Sequence, residues 1–142
     1  MLVREILTRD AEVIRPDASI CDAARKMKQA DIGMLPVCDG KRLVGIITDR
    51  DLTVRALAEG RDPNLTEVAA VMSPNVFYCF EDDDLQEAAT TMEEKQVRRL
   101  PVLNRDKKLV GIIALADLAL RSDDEILAEE VLECVSETVP AK

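Results

Sequence analysis

A hydroxyl and a carboxylate stand three positions apart in Thr48-Asp49-Arg50-Asp51, directly after an apolar run. Such a change of polarity is expected where a strand passes into a helix. A carboxylate at a helix start can accept hydrogen bonds from two hydroxyl donors, and the neighbouring backbone N–H groups favour an anion. The spacing therefore predicts a site that hydrogen-bonds a polar ligand, although a carboxylate in this position can also act only as a helix cap.

Catalysis is not indicated by the residue types. The chain contains no His, no nucleophile beside a plausible base, and neither a P-loop nor a dinucleotide-binding G-x-G-x-x-G. The cysteines, Cys21, Cys38, Cys79 and Cys134, are scattered without a C-x-x-C pair, so no zinc-ligand spacing is present. We predict a protein that is not an enzyme, binds no metal, requires no cofactor and keeps buried, reduced thiols.

The composition favours a globular protein with an acidic surface. Of 142 residues, 47% are hydrophobic and 33% are charged, and the net charge of -9 disfavours non-specific nucleic-acid binding. Phe77, Tyr78 and Phe80 are the only aromatic residues, so stacking platforms for bases are lacking. No apolar run approaches the roughly 20 residues that span a bilayer, and residues 1–10 lack a signal-peptide layout. We expect a cytoplasmic protein without a membrane or nucleic-acid partner.

An internal repeat organises the chain, with Ile20–Met27 echoed 65 positions later by Leu85–Met92. A repeat of this kind predicts two structural units of the same type. Three further landmarks recur in the same order: Leu35-Pro36-Val37 as Leu100-Pro101-Val102, Leu43–Ile47 as Leu109–Ile113, and Asp51-Leu52 as Asp117-Leu118.

Each half predicts the order strand, helix, strand, strand, helix. The first helix of each half has apolar residues at helical spacing, and Asp17 and Asp82 are the expected N-caps. Two short apolar runs on either side of a turn then predict an antiparallel hairpin. The predicted hairpins are Met34–Cys38 with Leu43–Thr48, and Arg99–Leu103 with Leu109–Ala114.

These elements predict an α+β fold of two β-α-β-β-α repeats, each with a three-stranded sheet that its helices cover on one face. Pairing of the halves about a pseudo-twofold axis is expected to bury the open faces and to leave clefts, where ligand sites are favoured. The predicted divisions are residues 1–60 for the first motif, 61–122 for the second, and 123–142 for a C-terminal helix and tail.

The two copies resemble CBS domains, in which an apolar-Pro-Val strand precedes Gly-apolar-apolar-[Thr/Ser]-x-x-Asp at a helix start. Gly45-Ile46-Ile47-Thr48-Asp49-Arg50-Asp51 matches this pattern in full, and the similarity covers nearly the whole chain. Asp31-Ile32-Gly33 and the stretch from Met92 to Arg99 are also similar to stand-alone bacterial CBS-pair proteins of the hypoxic-response type. The resemblance implies a regulatory module that binds an adenine nucleotide such as AMP, ADP, ATP or NAD.

The resemblance also implies roles for individual residues. In nucleotide-binding members the last Asp of the motif accepts ribose hydroxyls, while the Thr or Ser reaches ribose or phosphate. On this chain Asp51 becomes the ribose acceptor, Thr48 its neighbour, and Arg50 a candidate phosphate ligand. The adenine is expected against backbone and apolar groups around the strand proline: Ile14, Asp17 to Ser19, Met34, Leu35 and Pro36.

The second copy departs from the motif, since it keeps the carboxylate of Asp117 but has Ala114 in the position of the hydroxyl residue. Loss of one hydrogen bond costs about 0.5–1.5 kcal/mol, or about threefold to tenfold in affinity, which predicts a weakened second site. The motif glycines, Gly45 and Gly111, either permit close strand packing or contact the ligand.

In the second copy Pro101 is a further candidate nucleotide-binding residue, and two arginines precede its strand. Arg98 and Arg99 are expected either to bind phosphate bidentately or to form surface ion pairs with Glu93 or Glu94. The first alternative would concentrate positive potential in an otherwise acidic molecule.

A helix with one apolar face is predicted near the end of the sequence, at Ile126, Leu127, Val131, Leu132 and Val135. It either packs on its own domain or mediates dimerisation, and CBS pairs usually form flat homodimers. We therefore expect a homodimeric nucleotide sensor that acts on an unidentified protein. The alternative is a dimeric interaction scaffold, linked to stress responses, that needs no nucleotide.

Overall fold

The computed structural model describes residues 1–121. The helix predicted between Ile126 and Val135, the thiol of Cys134 and the division 123–142 lie outside the described residues. The chain forms two compact units. The first unit is Glu12–Val76, and the second unit combines Met1–Ala11 with the chain from Phe77 onward.

Helix α1 (Ile20–Ala30) of the first unit follows the predicted apolar spacing. Ile20, Ala23 and Met27 are buried on one face of the helix. The helix begins at Ser19, whose Oγ accepts a hydrogen bond from the backbone N–H of Asp22 at 3.1 Å.

The predicted N-caps, Asp17 and Asp82, are wrong by two residues in both halves. Ser19 and Asp84 cap the helices instead, because they directly precede the first helical residue in an extended conformation. The carboxylates of Asp17 and Asp82 form ion pairs with arginines, Asp17 with Arg15 at 3.0 Å. Both positions carry good capping residues, so local sequence does not distinguish them.

The hairpin of the first unit is formed by β1 (Met34–Asp39) and β2 (Arg42–Thr48), which pair antiparallel as predicted. Gly40 occupies the turn with φ +63°, a conformation that L side chains rarely adopt. The third strand of this unit is reduced to one residue, because Ile14 alone bridges to Val37 in parallel.

The helix predicted after β2 is a π-helix, Asp51–Leu57. Its pattern continues beyond the last residue, since the N–H of Ala58 reaches the carbonyl of Thr53 at 3.0 Å, five positions back. A short helix, α2 (Val68–Val71), completes the first unit.

The second unit repeats this plan with a three-stranded sheet. Its elements after a 3-10 turn at Val3–Glu5 are β3 (Cys79–Phe80), α3 (Leu85–Lys95), β4 (Arg99–Leu103), β5 (Leu109–Ala114) and α4 (Leu115–Arg121). The sheet order is β3-β4-β5, with β3 parallel to β4 and β5 antiparallel to it. The two hairpins share one irregularity, a register shift after Val37 and after Val102.

The leading segment of each sequence repeat is built into the unit that contains the other repeat's hairpin. Residues 1–11 pack with the second hairpin, where Thr8 bridges to Ile112, and residues 68–76 pack with the first, where Ser73 bridges to Ile46. The compact units therefore do not coincide with the divisions at residues 60 and 61 that follow the order of the motifs.

Each unit has its own aliphatic core. The core of the first unit includes Leu35, Val37 and Ile47, and that of the second includes Leu100, Val102 and Ile113, all at 0% exposure. These are the inward positions of matched hairpins. Among residues 1–121 no helix is long and apolar enough to cross a membrane.

Candidate functional site

In the first unit, Thr48 and Asp51 form a reciprocal pair where β2 passes into the following helix. The backbone N–H of Thr48 donates to Asp51 Oδ2 at 3.0 Å, and the N–H of Asp51 donates to Thr48 Oγ1 at 3.1 Å. Each side chain thus satisfies a backbone donor of the other residue, as in a capping box. These two hydrogen bonds explain the three-residue spacing of Thr48 and Asp51 without a ligand.

The other carboxylate oxygen of Asp51 has two longer contacts. Ser73 Oγ donates to Asp51 Oδ1 at 3.4 Å, and Arg55 Nη1 lies 3.8 Å from the same oxygen. Asp51 is 8% exposed and is the one buried charged residue among those described. Both contacts are longer than strong hydrogen bonds, and a carboxylate offers about four lone-pair sites, so Oδ1 keeps acceptor capacity. The first motif therefore has a buried anion that is satisfied mainly through Oδ2.

Sequence reasoning missed Ser73 and Arg55 as partners of Asp51. Arg55 lies four positions after Asp51, a spacing at which helical side chains meet, so its contact had a local signal. Ser73 is 22 positions from Asp51, and no short-range pattern connects the two residues.

Other residues predicted for the first site lie close along the hairpin. Met34 is the cross-strand partner of Thr48, and the backbone N–H of Ile14 donates to the carbonyl of Pro36 at 3.0 Å. Leu35 is fully buried in the core. The structure thus brings Met34 beside Thr48 and Ile14 beside Pro36.

Three further predicted residues have different surroundings. The hydroxyl of Ser19 is used as the cap of α1, and Asp17 is exposed and paired with Arg15. The side chain of Arg50 is exposed and forms no hydrogen bond or ion pair within residues 1–121. Of the three, Arg50 alone has a charged donor that is free for an anion within residues 1–121.

The corresponding place in the second unit differs in how its carboxylate is held. Asp117, in the first turn of α4, is half-buried, and its side chain has no hydrogen bond or ion pair in the described part of the chain. Ala114 is paired with Arg99, and the backbone N–H of Leu115 donates to the carbonyl of Arg98 at 2.8 Å. Without a hydroxyl at residue 114 the backbone N–H of Asp117 has no side-chain acceptor like Thr48 Oγ1, so the reciprocal pair of the first unit cannot form.

Arg98 and Arg99 are exposed. Within residues 1–121 neither forms an ion pair, and in particular neither pairs with Glu93 or Glu94. The surface-pair alternative is therefore not seen. Pro101 is buried opposite Ile112 in the hairpin.

Close packing accounts for the motif glycines. A Cβ on Gly45 would lie 2.6 Å from Met72 Sδ, and one on Gly111 would collide with the carbonyl oxygen of Thr8. These neighbours belong to the leading segments that cover the hairpins. Gly33 is a third glycine with a close neighbour, and sequence reasoning missed it. A Cβ on Gly33 would lie 2.8 Å from Asp49 Oδ2.

The chain matches the family model of the CBS domain twice, over residues 3–57 and 68–124. It is similar to hypoxic response protein 1 of Mycobacterium tuberculosis, at 35% identity over 129 residues that cover 90% of each chain. Its fold is similar to a crystal structure of hypoxic response protein I with two coordinated zinc ions, at 36% identity and a TM-score of 0.78, over 85% of this chain and 98% of that one.

The fold is also similar to the CBS domain pair of protein MJ0100 in complex with 5'-methylthioadenosine and S-adenosyl-L-methionine. The identity is 30% and the TM-score 0.73, over 84% of this chain and 98% of that one. The sequence has no His, and residues 1–121 contain no group of three His, Cys, Asp or Glu side chains that could hold a metal ion. The double match, the paired hairpins and the Thr48–Asp51 constellation place this chain in the CBS domain family, as a tandem CBS pair.

Proposed function

We propose that this CBS pair is a regulatory sensor of adenine nucleotides, which acts as a homodimer in the cytoplasm on a partner protein. The observation that carries the proposal is the buried carboxylate of Asp51, whose Oδ1 has no contact shorter than 3.4 Å among the described residues. A ribose hydroxyl is a suitable donor for that oxygen, and it would replace the weak contact from Ser73. The adenosine ligands bound by the pair of protein MJ0100 support this ligand class.

In the first unit the proposed ligand lies along the start of the helix after β2. Asp51 accepts the ribose hydroxyl, Arg50 pairs with phosphate, and the adenine rests against Met34 and the backbone near Pro36. The exposed position of Arg50 suits a phosphate that remains partly hydrated.

In the second unit Asp117 takes the role of Asp51, and Arg98 and Arg99 supply the positive charge. Their guanidinium groups form no ion pair within residues 1–121. They can compensate for the hydroxyl that Ala114 lacks, since charge-assisted hydrogen bonds are about twice as strong as neutral ones. We therefore propose that the second site binds more highly phosphorylated nucleotides than the first.

Calorimetry with AMP, ADP, ATP, NAD and S-adenosylmethionine tests the proposal. Asp51→Asn and Asp117→Asn keep side-chain shape and remove the charge, so each is expected to weaken its own site by tenfold or more, on the order of 1.5–3 kcal/mol. Glu59→Gln, an exposed charge change in the first unit, is the control and is expected to have no effect. Absence of binding heat for every nucleotide at millimolar concentration would refute the sensor.

The second candidate is a dimeric scaffold that needs no nucleotide. It is favoured by the reciprocal hydrogen bonds of Thr48 and Asp51, because a carboxylate with this cap role has a structural reason to be present. Because both candidates are dimers, partner binding measured with and without nucleotide distinguishes them. A scaffold is expected to be dimeric without nucleotide and to stay so in Asp51→Asn, with no ligand effect on partner binding.

A further inference from the structure

A cavity of about 590 Å³ lies in the first unit, away from the Thr48–Asp51 pair. It is bordered by residues 13–18, by one flank of α1 and by the end of β1 with its turn, and none of Thr48, Arg50 and Asp51 lines it. The volume lies in the range of small-molecule sites. We call this cavity the α1 groove.

The floor of the α1 groove is apolar. Ile14 and Cys38 are 4% and 3% exposed, and Ala18 is half-buried. Burial holds the thiol of Cys38 in its neutral form, because it raises the pKa of this group to about 11. The floor therefore suits an apolar group about the size of an aromatic ring.

The rim of the groove carries three cations, Arg15, Arg25 and Lys26, against a single carboxylate, Asp22. Arg25 makes no hydrogen bond within residues 1–121, and its one ion pair, with Asp22, is long at 3.7 Å. Lys26 Nζ donates to the carbonyl of Val13 at 3.0 Å and lies 3.5 Å from Glu12 Oε2. Arg15 pairs with Asp17 at 3.0 Å, so each cation of the rim has an exposed acidic partner, and exposed pairs of this kind are weak. The residues that line the groove carry more positive than negative charge, in contrast to the net charge of -9 on the whole chain.

The second unit shows that the fold does not require such a rim. At the displacement of 65 positions, Arg15, Arg25 and Lys26 correspond to Phe80, Thr90 and Thr91. There Arg105 stacks on the Phe80 ring at 4.1 Å and pairs with Asp82 at 2.8 Å. The two repeats share a scaffold but differ in charge at this place.

We propose that the α1 groove binds a small organic anion with a compact apolar body. The anionic group, a carboxylate or a phosphate ester, is held by the guanidinium fork of Arg25, which exchanges its long contact with Asp22 for the anion, together with Lys26. The apolar body lies over Ile14, Ala18 and Cys38. Arginine suits this role because its planar fork matches both anions bidentately. The groove shares Ile14 and Ala18 with the residues that the CBS resemblance assigns to the adenine, but none of Thr48, Arg50 and Asp51, which are proposed to hold ribose and phosphate, lines it.

Titration of the full chain with phenyl phosphate and with benzoate, followed by amide NMR, tests the proposal. Both probes are expected to shift amides of residues 13–18 and 38–40, while phenol and inorganic phosphate, which each supply one half of the chemistry, shift them less. The probe with the larger effect identifies the anion that the groove prefers. No localised shift with either probe up to about 10 mM would overturn the proposal, since single fragments bind weakly but measurably at such concentrations.

Arg25→Gln is expected to weaken binding of the preferred probe by about tenfold. Lys28→Gln is the matched control, because Lys28 is an exposed cation on α1 that does not line the groove, and its effect is expected to stay within about twofold. Equal weakening by both variants would mean that only the general charge of the helix matters and would contradict the proposal. Both side chains are exposed, so thermal unfolding checks that the fold is retained.

Asp51→Asn separates this site from the proposed nucleotide site. It is expected to leave probe binding unchanged, whether or not any nucleotide binds the protein. Loss of probe binding in Asp51→Asn, or displacement of the probe by AMP from the same amides, would make the groove part of the nucleotide site and overturn the inference.

Discussion

At the scale of single residues, the carboxylate of Asp51 has a structural role whether or not a ligand binds. It accepts the backbone N–H of Thr48 and is approached by Ser73 and Arg55. Asp117 occupies the same motif position without a hydrogen bond in the described residues. The two motif carboxylates therefore differ in what their removal does to stability, even if both bind ligands.

Asp51→Ala is expected to lower the free energy of unfolding by about 1 kcal/mol, within the 0.5–2 kcal/mol typical of a lost N-cap. Asp117→Ala is expected to change it by less than about 0.5 kcal/mol, because the Asp117 side chain makes no hydrogen bond or ion pair within residues 1–121. Urea unfolding without nucleotide measures both values. Equal destabilisation by the two variants would show that the cap of Asp51 is not stabilising.

Two buried thiols make stability fall at alkaline pH. Burial raises the pKa of Cys38 to about 11 and, with the nearby charge of Asp83, that of Cys79 to about 12, from 9.0. In the unfolded chain these thiols ionise near 9.0, so their contribution to stability is complete below that pH and decreases as the pH rises toward 11 and 12.

We expect the urea midpoint to fall more steeply above pH 9.0 in the wild type than in a Cys38→Ala/Cys79→Ala variant. All other ionisable groups are the same in both proteins, so the difference between the two pH profiles isolates the thiols. Parallel profiles would exclude the thiols as the source of the loss.

At the scale of elements, each hairpin is covered by a leading segment, residues 68–76 on the first hairpin and residues 1–11 on the second. Each segment passes so close to the hairpin that the strand beneath it has a glycine at the contact. A Cβ on Gly111 meets the carbonyl oxygen of Thr8, a backbone atom that cannot move alone. A Cβ on Gly45 meets Met72 Sδ at 2.6 Å, in a flexible side chain that can rotate away.

Gly111→Ala is therefore expected to destabilise the protein by about 1–3 kcal/mol, the usual cost of overpacking, and Gly45→Ala by less. Chemical denaturation of the two variants measures the difference. If Gly45→Ala proves the more costly, the backbone contact at Thr8 is not the tighter constraint.

At the scale of the whole molecule, each compact unit is completed by the leading segment of the other motif. Leu7 is 6% exposed in the core of the second unit, and Val68 is fully buried in that of the first. Residues near the start of the sequence thus stabilise the unit that contains Phe77–Arg121.

Leu7→Ala is expected to cost about 2–5 kcal/mol and to reduce amide-exchange protection in residues 77–121 more than in residues 12–76. Val68→Ala is expected to show the reverse distribution. Leu57→Ala is the control, since Leu57 is 74% exposed. Uniform loss of protection from Leu7→Ala would mean that the two units unfold as one.

The sequence alone determined the repeat, the apolar faces of α1 and α3 and both hairpins, and Arg99–Leu103 and Leu109–Ala114 match the observed β4 and β5 to the residue. These features depend on contacts three or four positions apart and on the alternation of strands, so short-range patterns carry them. The CBS family and the Thr48–Asp51 pair could be predicted for the same reason, because the motif that identifies them spans only a few consecutive residues.

Only the tertiary structure decided which segments complete each unit, the π-form of Asp51–Leu57 and the contact of Ser73 with Asp51. The α1 groove also depends on it, because Cys38 and Lys26 meet there from different elements. Such contacts join residues far apart in the chain, and whether they form depends on how whole elements pack, which local composition does not specify.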